Sequence, residues 1–437
     1  MSHILLVLAC AAAAAYQLWR VPRAWAFLLL FIVLAPKVPL VLVPGSPTPI
    51  RVDDLVVGGV LLWWALTTLL GIRTSERGNG RACPASPATF WLLLYWSTAF
   101  VCTLLGIAAL TTAPLTGLLH AARFVEYGLL YYFFYSAIGP DDLDQAVEVF
   151  RSALLIVCGL WLAQHWAHAP ADGPPTPWAT LYPTFSATYD FGAYMMLATV
   201  MMYALWTAGR AYRTPWTTIA LLAGAYITVN SDSRSSLLGL AIVVAADLVV
   251  RLRWKAVVAL GLAAAATPYL ITSKKMLTLV HGVVALVTSL DAGVIREAFA
   301  TDLSLALRLR NWRLAADHWL ARPLAGDGLG GYLSYTRQYD LPASPDGWYI
   351  RVLADTGVVG LVAFLLLMAG LLWSLVAANT RETRPLRRAI VYGAALGLAA
   401  TLVSAVLVDT FVSYKIMGVF WMIVASGTRV AADAETA

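Results

Sequence analysis

Long apolar runs with few charges recur from one end of the chain to the other. Each run is close to the roughly 20 residues that an α-helix needs to cross a bilayer. Of the 437 residues, 60% are hydrophobic and only 12% are charged, against about a quarter charged in soluble domains. A transmembrane β-barrel would show alternating strands, which these unbroken Ala/Leu/Val blocks are not. The sequence therefore predicts an all-α, polytopic membrane helical bundle and excludes a soluble enzyme with one anchor.

The placement of these runs divides the chain into three parts. Residues 1–272 are a predicted N-terminal transmembrane bundle, 273–347 a large extracytoplasmic loop, and 348–437 the C-terminal transmembrane helices. We expect about 12 or 13 spans, with boundaries accurate to a few residues. They are 4–19, 24–43, 52–72, 89–110, 117–137, 150–168, 189–209, 215–231, 235–250, 256–272, 348–376, 388–407 and 411–428.

Basic residues cluster in short loops on alternate connections, which the positive-inside rule assigns to the cytoplasmic side. The intervening loops then face outward, and this topology accounts for most of the formal net charge of +6. The charge therefore does not indicate nucleic-acid binding. The clusters are Arg20/Arg23, Arg73/Arg77/Arg81, Arg210/Arg213, Arg251/Arg253/Lys255 and Arg381/Arg384/Arg387/Arg388.

The outward segment 273–347 is polar and rich in Trp, Gly and Pro. Residues 303–320 place apolar side chains at helical spacing with arginines between them, which predicts an amphipathic helix lying on the membrane surface. Pro323 and the glycines after it then end the helix. They predict a tight turn with exposed backbone, which contains Gly326, Gly328, Gly330 and Gly331.

Charged residues inside membrane spans are costly and by default mark function. Arg123 and Glu126 are three residues apart on one helical face, so they either neutralise each other or bind an anion. Arg234 stands between two spans, beside Ser233 and Ser235. A guanidinium with hydroxyl neighbours suits a phosphate oxygen, because its planar fork binds oxyanions in a bidentate way. The alternative is an arginine that snorkels to the interface.

A second basic group precedes the glycine-rich turn. Arg308, Arg310 and Arg313 cluster there and suit a diphosphate at the membrane surface. The alternative is electrostatic attachment to anionic lipid heads. Asp346 is a carboxylate just before the following span. The sequence leaves open whether Arg308 or Arg310 is the diphosphate ligand.

Other polar residues have predicted structural roles. Asp247 lies one turn from Arg251, and Asp355 lies one turn from Arg351, so each pair is expected to form an ion pair. The four cysteines have no ligand spacing, and the six histidines are scattered. We therefore expect no metal site and no cofactor.

Three blocks of the chain are similar, in the same order, to the sequence motifs of a known protein family. The first is DSRSSLLGL (232–240), and the second is RLRNWRLAADHWLARPLAGDGLGGY (308–332), similar to R-x-x-x-W…P-L-x-G-x-G-x-G. The third is DGWYIRVLADTGVVGL (346–361), similar to H-N-x-x-L-x-x-L-x-E-x-G-x-x-G. Weaker echoes are RFVEYGLL (123–130) and FSATYDFGAY (185–194). The chain thus resembles the O-antigen ligase and O-antigen polymerase superfamily.

The resemblance implies transfer of a sugar chain from a polyprenyl diphosphate carrier to an acceptor. It implies a C-type glycosyltransferase architecture in the bacterial cytoplasmic (inner) membrane, with the site facing outward and no nucleotide sugar. Partners would be the lipid-linked oligosaccharide, membrane lipids, and a chain-length regulator and flippase of the same pathway. By motif, Arg234 and Arg308 would bind the diphosphate, and Asp346 would activate the acceptor hydroxyl. Further substrate contacts would be Arg310, Arg123, Glu126, Ser233, Ser235, Gly326, Gly328, Trp312, Trp348 and Tyr349.

The aromatic residues near the external loop offer rings for sugar stacking. The alternative is an interfacial aromatic belt. The set is Trp312, Trp319, Tyr332, Tyr335, Trp348 and Tyr349.

The departure from the family pattern is at Asp346-Gly347, where ligases have His-Asn. A carboxylate serves as a general base if its environment raises its pKa, or it orients the acceptor. The missing histidine favours a polymerase of lipid-linked repeat units. One alternative is an O-antigen ligase or protein O-oligosaccharyltransferase. Another is a transporter or flippase of lipid-linked glycans, which should carry cations along a cavity at mid-membrane depth.

Overall fold

The protein is a bundle of α-helices, as its apolar runs predicted. A computed structural model describes residues 12, 15–21, 23–35, 39–41, 50–70, 85–167, 188–252, 303–338 and 346–436. Several predictions concern residues outside these ranges. They are most of span 4–19, span 256–272, the basic residues Arg73, Arg77, Arg81, Arg253 and Lys255, and the parts 273–302 and 339–345 of the predicted external loop.

The helices of the described residues follow the predicted spans closely. Their order is α1 (Ala24–Leu34), α2 (Val52–Leu69), α3 (Thr89–Ala108), α4 (Pro114–Ala137), α5 (Leu143–Ala167), α6 (Thr188–Ala208), α7 (Pro215–Asn230), α8 (Arg234–Leu252), α9 (Leu303–Leu320), α10 (Gly331–Gln338), α11 (Trp348–Arg381), α12 (Pro385–Ser404) and α13 (Tyr414–Thr436), with 3₁₀ turns at Arg210–Tyr212 and Thr410–Val412.

Prolines set several helix starts. Pro114, Pro215 and Pro385 lie in the first turn of α4, α7 and α12, where a missing N–H costs nothing and the fixed φ suits a helix. The hydroxyl of Thr214 caps α7 by accepting the N–H of Thr217 at 3.2 Å.

The predicted helical span 24–43 is wrong beyond its first half. Helix α1 ends at Leu34, and Ala35 is extended with ψ 132°, as expected for a residue that precedes a proline. Downstream, β1 (Pro39–Val41) pairs antiparallel with β2 (Ile50–Arg51). The two prolines of the sequence PKVP explain the interruption, because proline cannot donate the helical hydrogen bond.

Six described helices are long and apolar enough to cross a membrane, so the chain is a multi-pass membrane protein. The predicted total of about 12 or 13 spans stays a prediction, because it includes residues outside the described ranges. The six are Thr89–Ala108, Leu143–Gln164, Tyr189–Ala208, Trp348–Arg381, Pro385–Ser404 and Tyr414–Ala434.

Helix α13 lies at the centre of the bundle, because 94% of its apolar window is buried, against 33% for α3. Small residues allow the helices around it to approach closely, as is common in membrane bundles. A Cβ on Gly427 of α13 would lie 2.6 Å from the Ala394 side chain of α12. At the end of α12, the N–H of Trp348 donates to the Ala405 carbonyl at 2.8 Å. This contact joins the start of α11 to the connection between α12 and α13.

Candidate active site

The glycine-rich turn after α9 is docked on a kink in α11. Gly357 interrupts α11 with φ 65° and ψ −166°, so nearby backbone groups lose their helical partners. The glycine-rich turn supplies new hydrogen-bond partners for these groups. Val358 donates to the Pro323 carbonyl at 2.9 Å, and Gly328 donates to the Asp355 carbonyl at 2.7 Å. Helices α9 and α11 are therefore joined by main-chain hydrogen bonds at this point.

The prediction that this turn exposes its backbone is wrong. Gly326 and Gly328 have φ of 63° and 90°, and both are buried. The N–H of Gly326 donates to the Arg322 carbonyl at 3.0 Å, and the N–H of Gly328 donates to the Asp355 carbonyl of α11. A Cβ on Gly326 would lie 2.6 Å from the backbone of Asp355. The glycines fit the turn between helices, and their amides are engaged within the protein.

Gly357→Ala is expected to destabilise the fold by about 2 kcal/mol or more, because alanine is strained at positive φ and its Cβ would overlap the Leu324 carbonyl. Gly159→Ala is a matched control in α5, where a Cβ meets no atom within 4 Å and alanine favours the helix by up to ~1 kcal/mol. Thermal unfolding of both purified variants in detergent tests this. Equal Tm values would contradict the docking role of the kink.

Asp346 lies in a tightly held turn at the start of α11. Its φ of 54° is in the left-handed region, which Asp tolerates better than most residues. Its carbonyl accepts the indole N–H of Trp312 at 2.9 Å. The next N–H, that of Gly347, donates to Asp409 Oδ1 at 3.1 Å. The backbone around the Asp346 carboxyl is thus fixed by α9 on one side and by the connection before α13 on the other.

Arg308 lies within electrostatic range of both Asp346 and Arg234. Burial raises the pKa of the Asp346 carboxyl; Arg308 opposes this rise, Asp409 adds to it, and a hydrogen bond with Asn311 opposes it. Burial lowers the pKa of the Arg234 guanidinium, and the neighbouring charge of Arg308 lowers it further. Arg308 thus interacts electrostatically with both of the other residues that the family pattern assigns to catalysis.

Arg308 and Arg310 differ in their surroundings. The buried Nε of Arg308 has no hydrogen-bond partner among the described residues, whereas Arg310 is exposed on the other side of α9. An unpaired buried donor costs free energy unless a ligand satisfies it. Two neighbouring guanidinium groups with such a donor can stabilise an anion between them.

The serines beside Arg234 point into the protein. Ser233 and Ser235 are 3% and 4% exposed, and Ser233 Oγ lies 2.7 Å from Ser236 Oγ. These hydroxyls bond to one another at the start of α8. They therefore fix the helix end that carries Arg234.

Asp409, which the sequence analysis did not single out, completes the polar end of α11. Its Oδ2 accepts Arg351 Nη1 at 2.8 Å. The predicted ion pair of Arg351 with Asp355 is confirmed, with Nε to Oδ2 at 3.6 Å. The only sequence signal for Asp409 is a lone carboxylate inside the predicted connection between two spans.

The remaining predicted charged residues lie in other contacts. Arg123 pairs with Asp54 of α2 at 3.2 Å, a partner that the sequence did not suggest, and Glu126 is half-buried one turn further along α4. The predicted pair of Asp247 with Arg251 is confirmed at 2.7 Å.

Two of the predicted sugar-stacking rings belong to the core instead. Trp348 is 2% exposed and stacks on Phe124 with centroids 5.9 Å apart. Tyr349 donates its hydroxyl to the Leu402 carbonyl at 2.8 Å. The ring of Trp348 is packed inside the core, so the prediction is wrong for Trp348. Trp312 is partly buried and holds the Asp346 turn.

His318 lies beside the turn, where its side chain is 14% exposed. His318 forms an ion-pair contact with Asp327, and its ring stacks on Tyr335 at 4.2 Å. The contact of His318 with Asp327 forms only in the folded turn, so the spacing of the two residues in the sequence did not indicate it. Within the described ranges, no group of three or more His, Cys, Asp or Glu side chains is arranged to hold a metal ion.

A small apolar space of about 30 Å³ lies directly beside Trp348. It lies one helical turn from the Arg351 and Asp409 pair. Its walls come from α3, α4, α11 and α13. The lining residues are Leu92, Tyr95, Trp96, Phe124, Tyr127, Gly128, Trp348, Phe364, Leu367, Met368, Phe411, Met417 and Trp421.

These features define a multi-pass membrane protein with two neighbouring guanidinium groups and a half-buried carboxylate at one end of its helices. Residues 217–365 match the family model described as O-antigen ligase. The matched part contains Arg234, Arg308, the glycine-rich turn and Asp346. It confirms the resemblance to the O-antigen ligase and polymerase superfamily and supports a membrane enzyme of that ligase or polymerase type. No curated protein matches the chain.

Proposed function

We propose that this protein is a glycosyltransferase that polymerises polyprenyl-diphosphate-linked oligosaccharide repeat units into a surface polysaccharide. The observation that carries the proposal is the electrostatic effect of Arg308 on both Arg234 and Asp346, which come from distant parts of the sequence. A transferase needs its leaving-group ligands and its base around one substrate.

In the proposed reaction, Arg234 and Arg308 bind the diphosphate of the donor. The acceptor hydroxyl attacks the anomeric carbon as the bond from that carbon to the diphosphate oxygen breaks. Charge develops on the departing diphosphate, and preorganised guanidinium groups stabilise it in the transition state. Attack from the opposite face inverts the linkage and releases polyprenyl diphosphate.

Asp346 is the proposed general base that takes the proton of the acceptor hydroxyl. Its burial and its neighbour Asp409 raise the pKa of the carboxyl, which brings a weak base closer to the operating pH. These surroundings support the role of a carboxylate base at the position where ligases have histidine.

The site is proposed to face the outside of the cytoplasmic membrane. Helix α6 begins beside the site and ends before Arg210 and Arg213, and α11 begins after Asp346 and ends at Arg381. The positive-inside rule assigns these basic ends to the cytoplasm. The segment 273–347 then lies outside, between the membrane parts 1–272 and 348–437.

Activity is expected to fall on the acid side of the pH profile as Asp346 becomes protonated. The pKa of this carboxyl is raised, so the loss should occur at a higher pH than the value of about 3.9 for an ordinary Asp. Activity falls towards acid pH because only the deprotonated carboxylate accepts a proton. The kcat measured against pH in proteoliposomes checks this. A profile that is flat down to pH 4 would contradict the role of Asp346.

The second candidate is a ligase that transfers a finished chain to lipid A or to a protein. The matched family model favours it, since that model is described as O-antigen ligase. The aspartate at position 346 favours the polymerase, because the ligase pattern has histidine there.

The test is incubation of the purified protein in lipid with a polyprenyl-diphosphate repeat unit and no nucleotide sugar. A ladder of products separated by one repeat unit supports a polymerase. A single transfer to added lipid A or protein supports the ligase. No product from a confirmed native donor would overturn both, and movement of the donor across the bilayer would then identify a flippase.

A further inference from the structure

Arg351 lies between two buried carboxylates at the start of α11. Its guanidinium contacts Asp409 through Nη1 at 2.8 Å and Asp355 through Nε at 3.6 Å. The three side chains are 12%, 9% and 7% exposed. A planar fork can hold two carboxylates in fixed directions, which the single ammonium of lysine cannot do.

Each carboxylate uses its other oxygen to hold backbone. Asp409 Oδ1 accepts the N–H of Gly347 at 3.1 Å, directly after Asp346. Asp355 Oδ1 accepts the N–H of Tyr332 at 3.2 Å, at the end of the glycine-rich turn. Arg351 is thus the central member of a chain of contacts that runs from the Asp346 turn to the turn that follows α9.

The two held turns belong to the two sides of the candidate site. The glycine-rich turn ends α9, the helix that carries Arg308, and the other turn carries Asp346. Arg351 stands at an unspecified position of the family pattern, five residues after Asp346 in the third block, so the resemblance assigns it no role.

We propose that Arg351 is a positioning residue, which fixes Asp346 relative to Arg308 by holding Asp409 and Asp355 in place. The inference rests on the proposed function of Asp346 and Arg308. Displacement of a reacting group by about 1 Å can lower a rate 100-fold. Loss of the Arg351 fork should therefore lower kcat while donor binding remains.

The first test variant is Arg351→Lys, which keeps the charge and loses the fork. We expect kcat to fall roughly tenfold to 100-fold, with KM for the lipid-linked donor changed by about twofold or less. Arg429→Lys is the matched control, because Arg429 is 6% exposed and pairs with Asp433 at 3.2 Å within α13. It should change kcat by about twofold or less, since that pair lies away from the site.

The second variant, Asp409→Asn, separates positioning from mere stability. The charge of Asp409 raises the pKa of Asp346, alongside the opposing effects of Arg308 and Asn311. Its removal should shift the acid limb of the pH profile to lower pH. Arg351→Lys leaves Asp409 less neutralised, so it should shift the limb to higher pH, each by roughly half a unit or more.

Opposite shifts, together with the loss of kcat in Arg351→Lys, would support the proposal. Equal activities of Arg351→Lys and Arg429→Lys, or a loss of folded protein with no shift of the acid limb, would overturn it. If Arg351→Lys does not fold, the direction of the Asp409→Asn shift decides. Failure of the proposed function itself is distinguishable, because the wild type would then form no product from the lipid-linked donor.

Discussion

Arg308→Ala is expected to lower kcat with a lipid-linked donor by about 10²- to 10³-fold. The physical reason is the charge that develops on the departing diphosphate, which a half-buried guanidinium next to Arg234 can stabilise. Its Nε has no protein partner among the described residues, so truncation should remove a ligand contact with little loss of internal hydrogen bonding. Initial rates of product formation in proteoliposomes measure the effect.

Arg310→Ala is the comparison variant on the same helix. Arg310 is exposed, so its loss should reduce kcat by about threefold or less, as expected for a screened surface charge. Arg308→Lys should fall between wild type and Arg308→Ala, because it keeps the charge and loses the bidentate geometry. A larger effect of Arg310→Ala than of Arg308→Ala would assign the diphosphate to the other arginine.

Asp346→Asn is expected to lower kcat by about 10²- to 10⁴-fold, since a general base contributes on that scale. Asparagine has the same size and also tolerates the left-handed backbone found at this position. The variant should therefore fold, and the loss should lie in kcat and not in the Tm. The rate of repeat-unit transfer and the Tm are measured on the same preparation.

Asp346→His provides the complementary test, because it introduces the residue of the ligase pattern. Histidine can accept a proton and is also tolerated at positive φ, so it should retain more activity than asparagine. Asp317→Asn, at an exposed position on α9, should match the wild type. Wild-type activity of Asp346→Asn would show that this carboxylate only occupies the position of the family histidine.

The sequence alone predicted the helices with close boundaries. Segment 303–320 was expected to be a helix and is α9, Leu303–Leu320, because apolar residues at helical spacing and a following proline are local signals. The exception, span 24–43, contains prolines that end α1 at Leu34. The two ion pairs expected at i,i+4, Asp247 with Arg251 and Asp355 with Arg351, were also found because both partners lie on one helix.

Contacts between distant segments were decided only by the tertiary structure. The partner of Arg123 is Asp54 of another helix, and the partner of Arg351 is Asp409, from the connection before α13. The glycine-rich turn was expected to expose its backbone, yet the kink at Gly357 offers it hydrogen-bond partners and buries it. Local patterns specify which residues form a helix and which break it. They contain no information on which helices become neighbours, because that depends on side-chain packing over the whole bundle.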